Sequence, residues 1–172
     1  MNLDDIQGGS LCVIDSNILL YAEQGVSHQA QRLLRRCAGG ELSGILPQTV
    51  WQEVTHKLMM AEAVMKRIIT GSNPAARLAG KPEAVRSLSL YRAKVQALID
   101  LGLGFEVCTL DDLTTTGFRL QEKYGLLTND AVVLAVAIRL KADALVSGDK
   151  AFQPVTEVPI HSPTDMSLWA AE

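Results

Sequence analysis

Several signatures that would place a protein in a well-known class are missing from this chain. It has no run of about eighteen uncharged apolar residues, so no membrane-spanning helix is expected. Residues 1–5 show neither the basic start nor the apolar stretch of a signal peptide, and we therefore expect a cytoplasmic protein. No Gly-x-Gly-x-x-Gly or phosphate-loop motif is present, which argues against an enzyme with a nucleotide cofactor.

Cysteine is also scarce. The three cysteines, Cys12, Cys37 and Cys108, are an odd number and lack the spacing of metal ligands. Each lies in an apolar or helical context. We therefore predict reduced thiols in the core, which agrees with a cytoplasmic location.

The residues that are present favour a folded α/β protein. A length of 172 residues with 48% hydrophobic content suits a single domain with a sizeable core. Short apolar stretches predict strands at residues 11–14, 43–46, 105–110 and 144–147, with an edge strand near 158–161. Helical patterns separate them; one helix begins at a cap at Asp111 and the next at Thr128 or Asn129. This alternation predicts a three-layer α/β/α fold with a mainly parallel sheet.

Asp15 follows the first predicted strand directly, and residues 18–22 have the pattern of a helix. In an open parallel sheet, ligands bind at the carboxyl ends of the strands, so a carboxylate there faces a site. The alternative is that Asp15 or Ser16 only caps the helix. The sequence around Asp15 does not decide between these two interpretations.

Three further acidic residues favour a site. Glu53 lies in an amphipathic helix, Asp130 opens a strongly apolar helix, and Asp149 ends the apolar run that begins at residue 144. Each belongs to a different element, and two of them fall where a strand ends or a helix begins. Such positions converge at one edge of a doubly wound sheet.

Four clustered carboxylates repel one another unless a cation lies between them. A hard ion such as Mg²⁺, or Mn²⁺, resolves the repulsion because it takes oxygen ligands and keeps several waters. Such a site favours hydrolysis of phosphodiesters. Whether it would hold one ion or two is left open.

The carboxylates have distinct expected roles. Asp15 and Asp149 are the expected direct ligands, Asp130 binds directly or through water, and Glu53 acts through water or as a base. The short polar residues suited to hydrogen bonds with these carboxylates are Ser16, Asn17 and Ser147.

The same residues carry a family resemblance. The motifs are Val-Ile-Asp-Ser-Asn at 13–17, Val-Trp-Gln-Glu-Val at 50–54, Asn-Asp-Ala at 129–131 and Leu-Val-Ser-Gly-Asp-Lys-Ala-Phe at 145–152. In this order they resemble the four acidic motifs of PIN-domain nucleases, and most of all the VapC-type toxins of toxin-antitoxin pairs. The resemblance implies a metal-dependent endoribonuclease in which the four carboxylates have the roles given above. It also implies an RNA substrate, an antitoxin partner and a homodimer.

The chain departs from the family at two points. Ala151 stands where the family usually has a second acidic or similar group, a change that barely touches the expected metal site. The middle segment is also longer than in many such toxins, which leaves the substrate open. We expect it to form a helical arm at about residues 57–104.

The charge of this arm differs from that of the rest. Residues 57–94 contain eight Lys or Arg and two Glu, a net charge of +6; because the whole chain carries −3, the remainder carries −9. We expect Lys66, Arg67 and Arg77 to contact RNA phosphates. The alternatives are a solvated helix face or a surface for a protein partner.

Two other functions are alternatives to a toxin nuclease. A PIN-like module that binds RNA or protein without cutting has no reason to gather four repelling charges. Another metal-dependent phosphohydrolase, such as a flap-type DNA nuclease or a phosphatase, is the third possibility, although the Asp-x-Asp signature of phosphatases is absent because position 17 is Asn.

Histidine and tryptophan are expected to have structural roles. His56 lies three residues after Glu53, but this chemistry does not require an imidazole. We expect His28 and His161 at the surface. Trp51 and Trp169 could stack on bases, and we favour packing for both.

Overall fold

The computed structural model describes residues 1–166, and Trp169 therefore lies outside the described residues. Its central feature is a parallel sheet with the strand order β3-β2-β1-β4-β5. The strands are β1 (Leu11–Ile14), β2 (Ser43–Pro47), β3 (Gly104–Glu106), β4 (Ala144–Val146) and β5 (Ile160–His161). The predicted α/β/α architecture with a parallel sheet is confirmed. β3 is shorter than predicted, and β5 lies at the edge, as Pro159 requires.

Helices connect the strands and complete the layers. They are α1 (Ser16–Gln24), α2 (His28–Ala38), α3 (Gln48–Met65), α4 (Pro74–Ala79), α5 (Pro82–Ser87), α6 (Leu90–Asp100), α7 (Leu110–Leu113), α8 (Thr115–Tyr124) and α9 (Thr128–Arg139). Short 3-10 turns lie at Leu3–Asp5 and Lys150–Phe152. None of the helices within residues 1–166 combines the length and the apolar character that a membrane crossing requires.

Helix ends follow local chemistry, with two corrections to the sequence prediction. Gly125 ends α8 in the left-handed conformation, as predicted. The cap expected at Asp111 is wrong: Thr109 caps α7, and the side chain of Asp112 completes a capping box. The cap expected at Thr128 or Asn129 is also wrong, because both residues are already inside α9.

Asp112 is buried for a reason that the sequence did not reveal. Its carboxylate accepts hydrogen bonds from Arg139 Nε, at 3.1 Å to each oxygen, and the same guanidinium pairs with Glu106. Arg139 therefore joins the end of α9 to the end of β3 and the start of α7.

The main core lies around β1 and β4, whose apolar side chains are almost fully buried. Cys12 and Cys37 belong to it, and burial raises the pKa of their thiols to about 12 and about 11. Both thiols are therefore protonated at neutral pH, and their place in the core agrees with the prediction, whereas Cys108 is only half-buried and lies outside that core.

The middle segment has a small core of its own. Ala63 at the end of α3 packs with Ile69, Leu78 and Leu88, and these four side chains are buried. Helix α6 then returns along α3, where Tyr91 contacts both cores. The segment is thus a helical extension whose base is shared with the main core.

Glu62, near the end of α3, connects α3 to the start of α6. Its side chain is only 1% exposed and pairs with Lys66 at 2.6 Å. The carboxylate also accepts hydrogen bonds from the backbone N–H groups of Ser89, at 3.0 Å, and Tyr91, at 2.8 Å. Burial alone would raise the pKa of Glu62, but these hydrogen bonds outweigh it and lower the pKa to about 2.

We predict that Glu62→Gln lowers the free energy of unfolding at neutral pH by about 2 kcal/mol, because charge-assisted hydrogen bonds are lost in a buried position. A depressed folded-state pKa stabilises the protein above the unfolded value of 4.5, and this contribution is lost as the pH falls toward about 2. Urea denaturation across this range should therefore show the difference from wild type shrinking.

Glu83→Gln is the matched control for this prediction. Glu83 lies in the same extension, but its side chain is 81% exposed and pairs with Arg86 on the surface. We expect a change below about 0.5 kcal/mol. Equal effects of the two substitutions would show that Glu62 does not anchor α6.

Candidate active site

The carboxyl ends of β1 and β4 open into a cleft of about 410 Å³. We call it the acidic cleft; its lining residues are Asp15, Ser16, Asn17, Tyr21, Glu53, Lys57, Asp130, Gly148, Asp149 and Lys150. The structure thus brings together the four carboxylates singled out in the sequence. They come from four different elements. Asp15 caps α1, Glu53 lies in α3, Asp130 lies in α9, and Asp149 lies in the turn after β4.

Asp15 is the most firmly held of the four. It is 5% exposed, and one of its oxygens accepts a hydrogen bond from the backbone N–H of Ser16 at 2.6 Å. The other oxygen accepts from Asn17 Nδ2 and from Ser147 Oγ, both at 2.6 Å. Asp15 is also the N-cap of α1, so the capping role and the site role coexist in one residue.

Asn17 and Ser147 join the loop after β1 to the loop after β4. Asn17 Nδ2 donates to Ser147 Oγ at 3.1 Å, and the backbone N–H of Gly148 donates to Asn17 Oδ1 at 2.9 Å. The backbone N–H of Asp149 donates to Ser147 Oγ at 3.0 Å. Asp149 is therefore positioned relative to Asp15 through two short polar side chains, as expected for Asn17 and Ser147.

Gly148 is needed where the two loops meet. A Cβ at this position would lie 2.7 Å from Cε2 of Tyr21, which is closer than carbon atoms approach. The Tyr21 ring therefore packs directly on the backbone before Asp149. The sequence did not reveal this contact, because Tyr21 and Gly148 are far apart in the chain.

The cleft is electrostatically unfavourable without a cation. Burial raises the pKa of Asp15, although hydrogen bonds from Ser147 and Ser16 act in the opposite direction. For Asp130, burial is again the largest cause, and the charges of Asp15 and Asp149 add to it. Together with Glu53, they raise the pKa of Asp130 from 3.8 to about 6. Burial and, to a smaller extent, the neighbouring carboxylates therefore both disfavour the charged form of Asp130.

Two lysines in the cleft offset part of this charge. Lys57 Nζ lies 2.6 Å from Glu53 Oε1, one helical turn further along α3. Lys150 is exposed, and none of the carboxylates within residues 1–166 pairs with it. When every group is ionised, four carboxylates and two ammonium groups give the cleft a net charge of −2. One divalent cation would neutralise it.

The donor set fits a hard divalent cation held mainly through water. All four side chains offer oxygen, and the raised pKa of Asp130 reports the excess negative charge that a cation would relieve. Within the described residues, no three His, Cys, Asp or Glu side chains are close enough together to hold an ion jointly. The arrangement therefore suits Mg²⁺, which takes one or two protein carboxylates and keeps several waters.

The expected RNA-binding residues lie away from the cleft lining. Lys66 pairs with the buried Glu62, so its charge has a structural role. Arg67 has a left-handed backbone (φ 55°), and Arg77 Nε donates to the carbonyl of Ser72. Arg67 and Arg77 are exposed and pair with no carboxylate in the described part of the chain.

The histidine and tryptophan expectations have mixed outcomes. His28 and His56 are exposed. His161, expected at the surface, is instead buried, and its Nδ1 lies 2.7 Å from the carbonyl oxygen of Asn2. Trp51 packs against the core and meets Phe105 edge to face, at 6.5 Å between ring centroids, so packing explains it.

The comparison with protein families identifies the class. Residues 12–158 match the PIN domain family. The match covers most of the chain and includes all four motif carboxylates, and the protein therefore belongs to the PIN domain family. No curated protein matches the sequence closely.

Two solved structures share the fold. VapBC2 from Rickettsia felis, bound to a DNA fragment from its promoter, has a TM-score of 0.56 at 16% identity, over 88% of this chain and 98% of that one. A toxin-antitoxin complex from Klebsiella pneumoniae has a TM-score of 0.56 at 18% identity, over 86% of this chain and 94% of that one. At these low sequence identities, the structural similarity shows that the fold is shared and nothing beyond it.

We predict that Asp130→Asn stabilises the protein in chelator at slightly alkaline pH by on the order of 2 kcal/mol, since each pKa unit corresponds to about 1.4 kcal/mol and solvent screening of this half-buried side chain reduces the full conversion. Asp130 ionises at about 6 in the folded state and at 3.8 by itself. Its carboxylate therefore costs stability as the pH rises through this window, and the gain from Asn should disappear below 3.8.

The measurement is chemical denaturation of both proteins over this pH range. Asp100→Asn is the control, because Asp100 lies at the exposed end of α6. A gain that does not change with pH would contradict the assignment of repulsion to Asp130.

Proposed function

We propose that this protein is a metal-dependent endoribonuclease that acts as the toxin of a toxin-antitoxin pair. One observation carries the proposal: four carboxylates from separate elements line one cleft at the carboxyl edge of a PIN-family sheet. A module that only bound RNA or protein would gain nothing from this repulsion. A cation held by such a site would assist the hydrolysis of a phosphodiester.

The proposed roles follow from how firmly each carboxylate is held. Asp15 and Asp149 belong to the hydrogen-bonded loops and would hold Mg²⁺ or Mn²⁺ directly, whereas Asp130 would bind it directly or through water. Glu53 would act through water or orient the attacking water as a base. The bound cation would supply positive charge at the phosphoryl oxygen and lower the pKa of the attacking water.

The proposed partners rest on the similar structures. The proteins from Rickettsia felis and Klebsiella pneumoniae form toxin-antitoxin complexes. By analogy, we propose that a small antitoxin protein inhibits this chain; the proposed homodimer rests only on the resemblance to VapC-type toxins. Neither proposal is needed for the chemistry of the cleft.

We predict that Asp15→Asn and Asp130→Asn each reduce RNA cleavage at least about a hundredfold, because each removes a charge that holds or balances the cation. Cleavage of single-stranded RNA would be followed with Mg²⁺, with Mn²⁺ and with chelator. Asp130→Asn is expected to be inactive although more stable than wild type, which separates loss of chemistry from loss of fold. Full activity of either variant, or of wild type in chelator, would contradict the proposal.

We also propose that the helical extension attracts RNA, since the acidic cleft by itself repels it. Of the basic residues at 57–94, four are paired with carboxylates: Lys57, Lys66, Arg86 and Lys94. The charge of +6 therefore overstates what is available to a phosphate. Arg67 and Arg77 are the better candidates, whereas a change at Lys66 would also disturb Glu62.

We predict that replacing Arg67 and Arg77 together by Gln weakens RNA binding and reduces the slope of log affinity against log salt by about 1.4, given about 0.7 per phosphate contact on a single strand. The cleaved position should not change, because phosphate contacts do not read bases. The control replaces Arg35 and Arg119, exposed residues outside the extension, by Gln. Equal effects of the two double variants would mean that only net charge matters.

A further inference from the structure

Lys57 occupies an unusual position for a basic residue in this chain. It is the cation inside the acidic cleft that contacts a candidate metal ligand, Glu53, at 2.6 Å. The sequence could have revealed it, because positions four apart on a helix share a face. The net charge of residues 57–94 includes Lys57 but does not show that it faces Glu53.

The influence of Lys57 extends beyond its partner. It lines the same cleft as Asp15, Asp130 and Asp149, while its ion pair is with Glu53. Lys57 and Lys150 are the two cations that line this cleft, and of the two it is Lys57 that pairs with one of the four carboxylates.

The ion pair between Lys57 and Glu53 is weak enough for a divalent cation to replace the ammonium group at Glu53. The side chain of Lys57 is 47% exposed and that of Glu53 is 28% exposed, so the pair lies in a solvated part of the cleft. Pairs of this kind contribute at most about 1 kcal/mol, and a divalent cation competes with them readily. In contrast, Asp15 is 5% exposed and accepts three hydrogen bonds.

We propose that Lys57 is a substrate-positioning residue whose ammonium leaves Glu53 when a divalent cation enters the cleft and then binds a phosphate of the RNA. The inference rests on the proposed function and names a residue that recognises its substrate. Lys57 holds the metal-free cleft together electrostatically, and after the exchange it holds the RNA backbone beside the carboxylates. The same residue thereby makes RNA binding at the cleft depend on the cation.

RNA binding with Ca²⁺ in place of Mg²⁺ tests the exchange without relying on catalysis. The probe is a short, fluorescently labelled single-stranded RNA of mixed sequence, titrated against intact protein in Ca²⁺ or in chelator at several salt concentrations. Lys57→Gln should weaken binding about tenfold in Ca²⁺ and reduce the salt slope by about 0.7, the value for one phosphate contact. In chelator the effect should be smaller than about twofold, because Lys57 is then occupied by Glu53.

Two further variants make the test specific. Lys123→Gln is the matched control: Lys123 is 50% exposed and pairs with Glu157 at 2.7 Å, away from the cleft. It should not change the dependence on Ca²⁺. Lys57→Arg keeps the charge and should retain most of the affinity in Ca²⁺.

The outcomes separate this inference from the proposed function. Equal losses for Lys57→Gln and Lys123→Gln, or a loss for Lys57→Gln that is the same in Ca²⁺ and in chelator, would overturn the role of Lys57 while leaving the nuclease proposal intact. Wild-type protein that neither binds nor cleaves RNA with any divalent cation would overturn both. A thermal melt of each variant excludes unfolding as the cause.

Discussion

Repulsion among carboxylates at one edge of the sheet is the constraint on which the functional end of this molecule depends. A parallel sheet brings the residues after β1 and β4 side by side, and here those residues are Asp15 and Asp149. The fold tolerates the repulsion because Asp15 accepts three hydrogen bonds and because lysines lie in the same cleft. The stability of the core around β1 and β4 offsets the remaining cost.

Much of this arrangement could be predicted from the sequence, for a specific physical reason. The buried strands are short apolar runs, and an acidic residue directly after such a run has few explanations besides a cap or a site. For Asp15 the cap is observed, and the same carboxylate lines the acidic cleft. The four carboxylates were predicted to converge, and they line one cleft; their individual roles stay predictions.

The errors have a physical reason as well. His161 was expected at the surface and is buried, and Asp112, which completes a capping box, is buried as well; each has a partner distant in the chain. Asp112 depends on Arg139, and His161 on the backbone of Asn2. Single-sequence patterns report the periodicity of neighbours, whereas a buried polar group depends on a contact that the pattern does not contain.

Net charge is informative only after internal pairing is known. The extension has a charge of +6, but Lys66 is needed to balance Glu62, and Lys94 pairs with Glu23 on α1. The first pair lies inside the extension, the second joins it to α1, and both leave fewer cations for a ligand. The same reasoning distinguishes the two kinds of charge in the cleft. Asp15, the proposed direct ligand, is fixed by three hydrogen bonds, while Lys57, the residue proposed to change partners, is held by one partly exposed ion pair.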